Sequence, residues 1–433
     1  MKKDYQNNAA SATTSVLPEA VTVAMAELAG DVQEGLLAMA VGAGLQVMAA
    51  MMNADVGAVC GPKGRHDPAR TAVRHGAEDG SVTLGGRRVP VQRPRMRASD
   101  GSGELPVASY ELFSRTEMLG RMAMERMLAG LSARRYPAGL EPVGEKAERA
   151  SRSTSKSAVS RRFVAATETA LAELLAADLS GLDLVALMID GVHFGDHLCV
   201  VALGIGIDGT KHPLGLAEGP AENTTVVTDL LTGLRDRGLD TSRAIFVGID
   251  GGKALHAAVV KVLEHPVIGR CQLHKLRNVA DKLPDRLIST VTRRMRAACH
   301  ADSAIVAEAQ LEALARELER TRPGAAGSLR EGLSETLTVL RLEVPPTLAR
   351  TLRSTSSIES MISIARTHSH NVKNWQNGTM ALRWCAAGMI EARRQFRRVN
   401  GHLHLPALRV ALDACVAAET VSAVRHDDNV IAA

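Results

Sequence analysis

Three nearly uninterrupted apolar runs limit what this chain can fold into: LVALMID at 184–190, LCVVALGIGID at 198–208 and AIFVGID at 244–250. Each closes on an aspartate followed by glycine. Runs this continuous and this rich in Val, Ile and Leu belong to strands covered on both faces, because a strand with one wet face would alternate. Residues 224–237 and 253–263, which lie between and after the later runs, place apolar side chains at helical spacing. Three early strands with a hairpin at Asp208-Gly209, then helix, strand, helix and the strand VIGRCQL, predict an α/β unit of the ribonuclease H kind over 179–275. Beyond Leu276 the pattern turns helical, through AIVAEAQLEALARELERT, and stays so to the end.

A chain of 433 residues exceeds one ordinary core, so several domains are expected. Its 45% hydrophobic residues suffice to pack them. Residues 1–15 read as a flexible tail and 16–80 as a helical region, with Pro18 at a first helical turn. The stretch from Gly35 to Ala54 has no charged residue and is about long enough to span a bilayer. Its flanking Asp31, Glu34 and Asp55 instead of Lys or Arg favour a buried helix and no membrane partner. No basic region followed by an apolar run and cleavage site opens the chain, so no signal peptide is expected. Six cysteines without repeated spacing argue against a disulfide framework and for a reducing, cytoplasmic setting.

Residues 81–178 carry the basic signals. SVTLGGRRVPV predicts a hairpin about Gly85-Gly86, with Pro90 confining its strand to an edge. Arg87, Arg88, Arg93, Arg95 and Arg97 fall on it or just beyond, a density suited to phosphates or to a solvated face. Helices over 116–131 and 153–175, joined by a long loop, resemble a helix-turn-helix, with Lys156, Arg161 and Arg162 as candidate DNA contacts. A helix ending in Arg393, Arg394, Arg397 and Arg398 is a further candidate, or a solubilising face. The net charge of +5 is modest, so clustering matters more than the total.

Asp190 and Asp250 each close an apolar run, which places both carboxylates at strand ends. There, two converging carboxylates would hold a hard cation through oxygen. Asp-Gly also simply makes turns, a reading that suffices at Asp208-Gly209. Ser356-x-x-Glu359 by itself is a capping box, in which glutamate reaches back to a backbone N–H. Cys271 and His274, spaced CQLH, could open a zinc site, yet no second pair at matching spacing follows. His193, His197 and His256 are given no role.

Taken in order, MIDG with Asp190, GIDGG with Asp250, CQLHKLRN with Cys271 and His274, and STSSIES with Glu359 resemble the Mutator-type DDE transposases of bacterial insertion sequences. The separations, 60 residues from Asp190 to Asp250 and 109 from Asp250 to Glu359, agree with that family, whose larger gap accommodates a helical insertion. LGGRRVPVQRPRMR, MLAGLSARRY and SKSAVSRRF are similar to segments that family members carry upstream.

The resemblance implies a ribonuclease H-like catalytic domain with an all-α insertion at 276–353 and a C-terminal part at 354–433 carrying the glutamate. A mainly helical DNA-binding region would precede it. It further implies Asp190, Asp250 and Glu359 as catalytic and metal-binding residues for two Mg²⁺ or Mn²⁺ ions, with Cys271 and His274 supporting them. Double-stranded DNA, as terminal inverted repeats and target, would be the partner of a dimer or larger assembly. Many relatives have Asn where this chain has Ser356; both cap helices. A nuclease without strand transfer would share the carboxylates, and an inactive DNA-binding repressor would ignore metal.

Overall fold

The computed structural model describes residues 35–65 and 69–431, without the side chains of Leu37, Lys146 and residues 419–431. The expected tail and the helix start at Pro18 lie outside these residues. The chain divides into two compact units, Met1–Met127 with Leu131–Phe163, and Leu128–Gly130 with Val164–Ala433.

In the first unit, helix α1 (Leu36–Cys60) is followed by strands β1 (Ala72–Leu84), β2 (Arg87–Ala98) and β3 (Glu104–Leu105), then helices α2 (Ala108–Ser114), α3 (Glu117–Leu128) and α4 (Glu145–Ala150). The hairpin expected at Gly85-Gly86 is present and runs much further than the motif, from Leu84↔Arg87 to Ala72↔Ala98. Both glycines have positive φ, the conformation such a turn demands and one that L side chains resist. β3 pairs only Met96 and Arg97 of β2, so Pro90 costs no ladder bond on that side.

α1 differs from the buried helix expected of it. Ala38, Met52, Val56 and Cys60 are buried, whereas Leu36, Val47, Met51 and Val59 are exposed. By length and composition, Ala38–Cys60 could cross a membrane. Its C-terminal half packs Met52, Val56 and Cys60 against Ala72, Met96 and Val107, and Asp55 accepts hydrogen bonds from Ser109 N (2.8 Å) and Oγ (2.5 Å). The long connection expected between the two helices at 116–131 and 153–175 holds a 3-10 turn at Pro137–Gly139 and α4 before α5 (Lys156–Ala176) begins.

The second unit begins within α5 and holds a five-stranded mixed sheet. Its strands are β4 (Leu184–Phe194), β5 (His197–Gly206), β6 (Lys211–Gly219), β7 (Ile245–Ile249) and β8 (Pro266–Arg270), ordered β6-β5-β4-β7-β8. β6, β5 and β4 form an antiparallel meander, while β7 and β8 add parallel to it. The chain is thus a mixed α/β protein. Helices α6 (Thr224–Asp236) and α7 (Lys253–Val262) make the crossovers, as the helical spacing predicts. VIGRCQL is cut short: β8 stops at Arg270 and Cys271 becomes the N-cap of α8 (Gln272–Ala280).

Alternation along the strands sends Leu187, Ile189, Val247 and Ile249 to one side, against Val227, Leu231, Leu255 and Val259 of α6 and α7. It sends Met188, Val192 and Phe246 to the other. Both faces are therefore buried, which explains the unbroken apolar runs.

After α8 come α9 (Asp285–Ala298), α10 (Ala304–Glu319), α11 (Pro323–Arg330), α12 (Leu333–Thr336), α13 (Thr338–Arg341) and α14 (Pro346–Leu352). Val279, Met295, Leu311, Ala315 and Leu329 give them a core of their own. Buried Lys275 donates to the carbonyls of Ser328 (2.8 Å) and Glu331, pinning α8 onto α11. α15 (Ser356–Ser369) and α16 (Gly378–Gln395) then return to the second face of the sheet, and α17 (Leu405–Ile431) follows. Arg409, buried in α17, donates to Ala244 O, Leu184 O and Asp183, which fixes the start of β4 beside that of β7.

Candidate active site

The parallel ladder between β4 and β7 pairs Ala186 with Phe246, Leu187 with Val247 and Met188 with Gly248. That register has the same 60-residue offset that separates Asp190 from Asp250, so the two aspartates come level just past the last pair. Both share the face of Met188 and Phe246. Asp190 is not at a strand's end, however: β4 continues to Phe194 in its hairpin with β5, where Asp190 pairs with Val201. Only the ladder toward β7 ends there. Each carboxylate is held by the chain that follows it. Asp190 Oδ1 accepts from Gly191 N (2.8 Å) and Asp250 Oδ1 from Gly252 N (2.8 Å), the latter across Gly251, whose φ of 106° favours glycine.

Glu359 reaches the same face from α15, whose Ile358, Met361, Ile362 and Ala365 are buried with Met188, Val192 and Phe246. The capping box does not form. Thr355, not Ser356, is the N-cap, and no side chain caps the helix. Thr355 Oγ1 instead donates to Glu359 Oε1 (3.0 Å), and the carboxylate lies 3.7 Å from His274 Nε2. Cys271, His274 and Glu359 form one cluster with ligand atoms within 4.8 Å of each other, and Thr355 N donates to Cys271 Sγ (3.5 Å). This gathers all five residues that the sequence singles out for chemistry into the second unit.

Burial pushes the Asp190 carboxyl up to about 6; the Gly191 hydrogen bond opposes the rise, and the charges of Asp250 and Glu359 add to it. Proximity to Cys271, then the charges of Glu359 and Asp190, hold His274 at about 9 against its burial. His274 Nδ1 is buried and makes no hydrogen bond of good geometry among the described residues. Burial would raise the Cys271 thiol, but interactions with His274 and Thr355 outweigh it and the thiol lies below its usual range.

A fourth carboxylate escapes the sequence reading. Glu222 precedes Asn223, the N-cap of α6, and lines a cavity of about 290 Å³ with Asp190, Asp250 and His193. Burial, then the charges of Asp250 and Asp190, push it up to about 7. Its only sequence signal is its place just before a helix that follows a strand, and acids there are commonplace.

Raised carboxyl pKa values mean that the folded chain holds these protons more tightly than the unfolded chain. The resulting penalty is absent below about pH 4 and complete above about pH 7. Asp190→Asn is therefore expected to stabilise the metal-free protein at pH 8 by roughly 1–3 kcal/mol, with the difference vanishing near pH 4. Thermal melts in chelator at the two pH values check this.

Of the basic residues, Arg97, Lys156, Arg161, Arg393, Arg394, Arg397 and Arg398 are exposed. Arg87 is not available to a phosphate: it is 2% exposed and donates to Glu141 O (2.9 Å). Arg88 is spent on Ser81, Thr83 and Ser114, and Arg162 donates to Ser153 O. Arg93 and Arg95 pair with Glu78 and Glu104, while Arg394 pairs with Glu391.

The sequence profile described as "Transposase, Mutator family" matches residues 16–399. The chain belongs to the Mutator family of transposases. It is similar to the transposase for insertion sequence element ISRM5 of Rhizobium meliloti, 26% identical over 369 residues, spanning 84% of this chain and 89% of that protein. It also resembles the transposase for IS6120 of Mycolicibacterium smegmatis, 27% identical over 54% of this chain and 72% of that protein. A probable insertion-sequence transposase of Corynebacterium diphtheriae is 29% identical over 49% of this chain and 61% of its own length. As a member of the Mutator family of transposases, the chain belongs to a family of DNA-processing enzymes.

Proposed function

We propose that this Mutator-family transposase binds the terminal inverted repeats of its insertion sequence and carries out metal-dependent strand cleavage and strand transfer with Asp190, Asp250 and Glu359. The observation that carries the reading is the register of β4 on β7, which brings the two aspartates level on the face to which α15 delivers Glu359. On this reading the mixed sheet with α6 and α7 is a ribonuclease H-like core, and the helices from α8 to α14 are an insertion between its last strand and the glutamate.

The donors suit two Mg²⁺ or Mn²⁺ ions: all are carboxylate oxygens, and no Lys or Arg lines the cavity among the described residues. Bound there, the metal would lower the pKa of an attacking water or DNA 3′-hydroxyl and stabilise the leaving oxygen. The protein's share is placement. Gly191 N and Gly252 N each fix one carboxylate oxygen of Asp190 and Asp250, and Thr355 orients Glu359. His274, held above its ordinary range by its neighbours, lies beside Glu359 and would attract a DNA phosphate.

Incubating the protein with its element's end sequences and Mg²⁺, with and without chelator, tests this. Joined products that vanish with chelator are expected. Cut ends alone would make the protein a nuclease, and binding unaffected by metal, with no cutting, a repressor.

Exposed Arg397 and Arg398, which lie past the end of α16 at Gln395 and not on the helix as the sequence suggests, are candidates for phosphate contact. Replacing both with Ala should flatten the slope of log affinity against log salt by about one per lost contact. An unchanged slope would remove this segment from the DNA interface.

A further inference from the structure

Glu222 stands out among the four carboxylates of the second unit's candidate site because none of the described groups satisfies it. Asp190 and Asp250 accept backbone hydrogen bonds and Glu359 accepts one from Thr355. Glu222, half-buried, takes part in no hydrogen bond or ion pair among the described residues. A partly desolvated carboxylate facing two others without a cation is unfavourable unless something positive binds among them.

The backbone around it is cut to make room. A Cβ at Gly252, two residues after Asp250, would collide with Glu222 Oε1 and lie 3.3 Å from Asp250 Oδ1. One at Gly191, next to Asp190, would lie 3.3 Å from Glu222 Oε2. The two oxygens of Glu222 thus stand against the two glycines whose N–H groups hold the aspartates. Glu359 is placed differently. It is not among the residues lining this cavity, and its Oε1 is shared between Thr355 and His274.

We infer that Glu222 is a direct ligand of the divalent cation held between Asp190 and Asp250, a fourth carboxylate of the site that lets this ion be held without Glu359. The inference rests on the metal-dependent reading proposed above. It divides the carboxylates unevenly: Asp190, Asp250 and Glu222 would hold one ion, and Glu359 would serve another. Three carboxylates suit a hard cation at the first position. Loading would then not depend on Glu359.

Mn²⁺ titration of the full-length, metal-free protein, followed by electron paramagnetic resonance of free Mn²⁺, tests this without reference to activity. Wild type, Glu222→Gln, Glu222→Asp, Glu359→Gln and Asp190→Asn would be compared, each checked for a wild-type circular dichroism spectrum. Glu222→Gln should weaken the tighter Mn²⁺ site roughly 10- to 100-fold. Glu222→Asp should weaken it less, and Glu359→Gln should leave it intact. Tight binding by Glu222→Gln within about twofold of wild type, while Asp190→Asn abolishes it, would overturn the role of Glu222 alone. Tight binding unchanged by Asp190→Asn would overturn the metal reading itself, and this inference with it.

Discussion

Asp250→Asn is expected to lower strand cleavage and joining roughly 10³-fold or more, since losing one carboxylate from a two-ion site forfeits several kcal/mol of transition-state stabilisation. The replacement keeps the size of the side chain and an oxygen able to accept from Gly252 N, so the turn after β7 should survive. Affinity for DNA ends should fall little. Cys271→Ser is the informative companion. Cys271 is buried, touches Thr355 and His274 and is no carboxylate of the proposed catalytic set, so its loss would disturb the placing of Glu359 without removing a metal-binding oxygen. Its effect should be smaller, and equal losses in folded proteins would refute that ranking. Cleavage assays on end-sequence DNA at matched protein concentration provide the measurement.

Phe246→Ala should remove about 3–5 kcal/mol of stability from the second unit, a large share of the 5–15 kcal/mol typical of a domain. Phe246 lies on β7, fully buried, with its ring over two glycines. A Cβ at Gly269 of β8 would fall 2.5 Å from ring carbons, and one at Gly248 would fall 3.4 Å away. The sheet thus gives up two side chains to seat one ring. Both tryptophans of the chain, Trp375 and Trp384, lie in this unit, so their fluorescence during denaturant unfolding reports on it. A loss below about 1 kcal/mol would show that the site collapses or that β7 is not packed as described.

The strands of the site were legible because both faces of the sheet are covered, which leaves short runs rich in Val, Ile and Leu, bounded by turn residues. The level placement of Asp190 and Asp250 was only half legible. Equal spacing from each run's apolar start gives the register, yet nothing local says that β4 continues past Asp190, because VHF after Gly191 is short and belongs to a hairpin whose partner lies beyond it.

Glu359 was ambiguous for a different reason. Hydroxyl-rich helix starts look alike whether the acid caps or catalyses, and only the fold shows Thr355 at the N-cap and the carboxylate beside His274. Glu222 was invisible, since its relation to Asp190 and Asp250 is set by where α6 begins in space. Arginine density misled at Arg87: charge predicts a wet surface, but a guanidinium that satisfies Glu141 O can be buried. The apolar stretch of α1 misled the other way, because composition does not say how many faces a helix buries.

The central claim is that Asp190, Asp250 and Glu359 form one catalytic set, and Glu359 is its most exposed member to challenge. A marker flanked by the DNA ends that border this gene can be scored in cells for excision or circle junctions, comparing wild type with Glu359→Gln at equal protein levels. Junctions from wild type alone are the predicted result. Junctions at comparable frequency from both would remove the glutamate from the catalytic set and contradict the account.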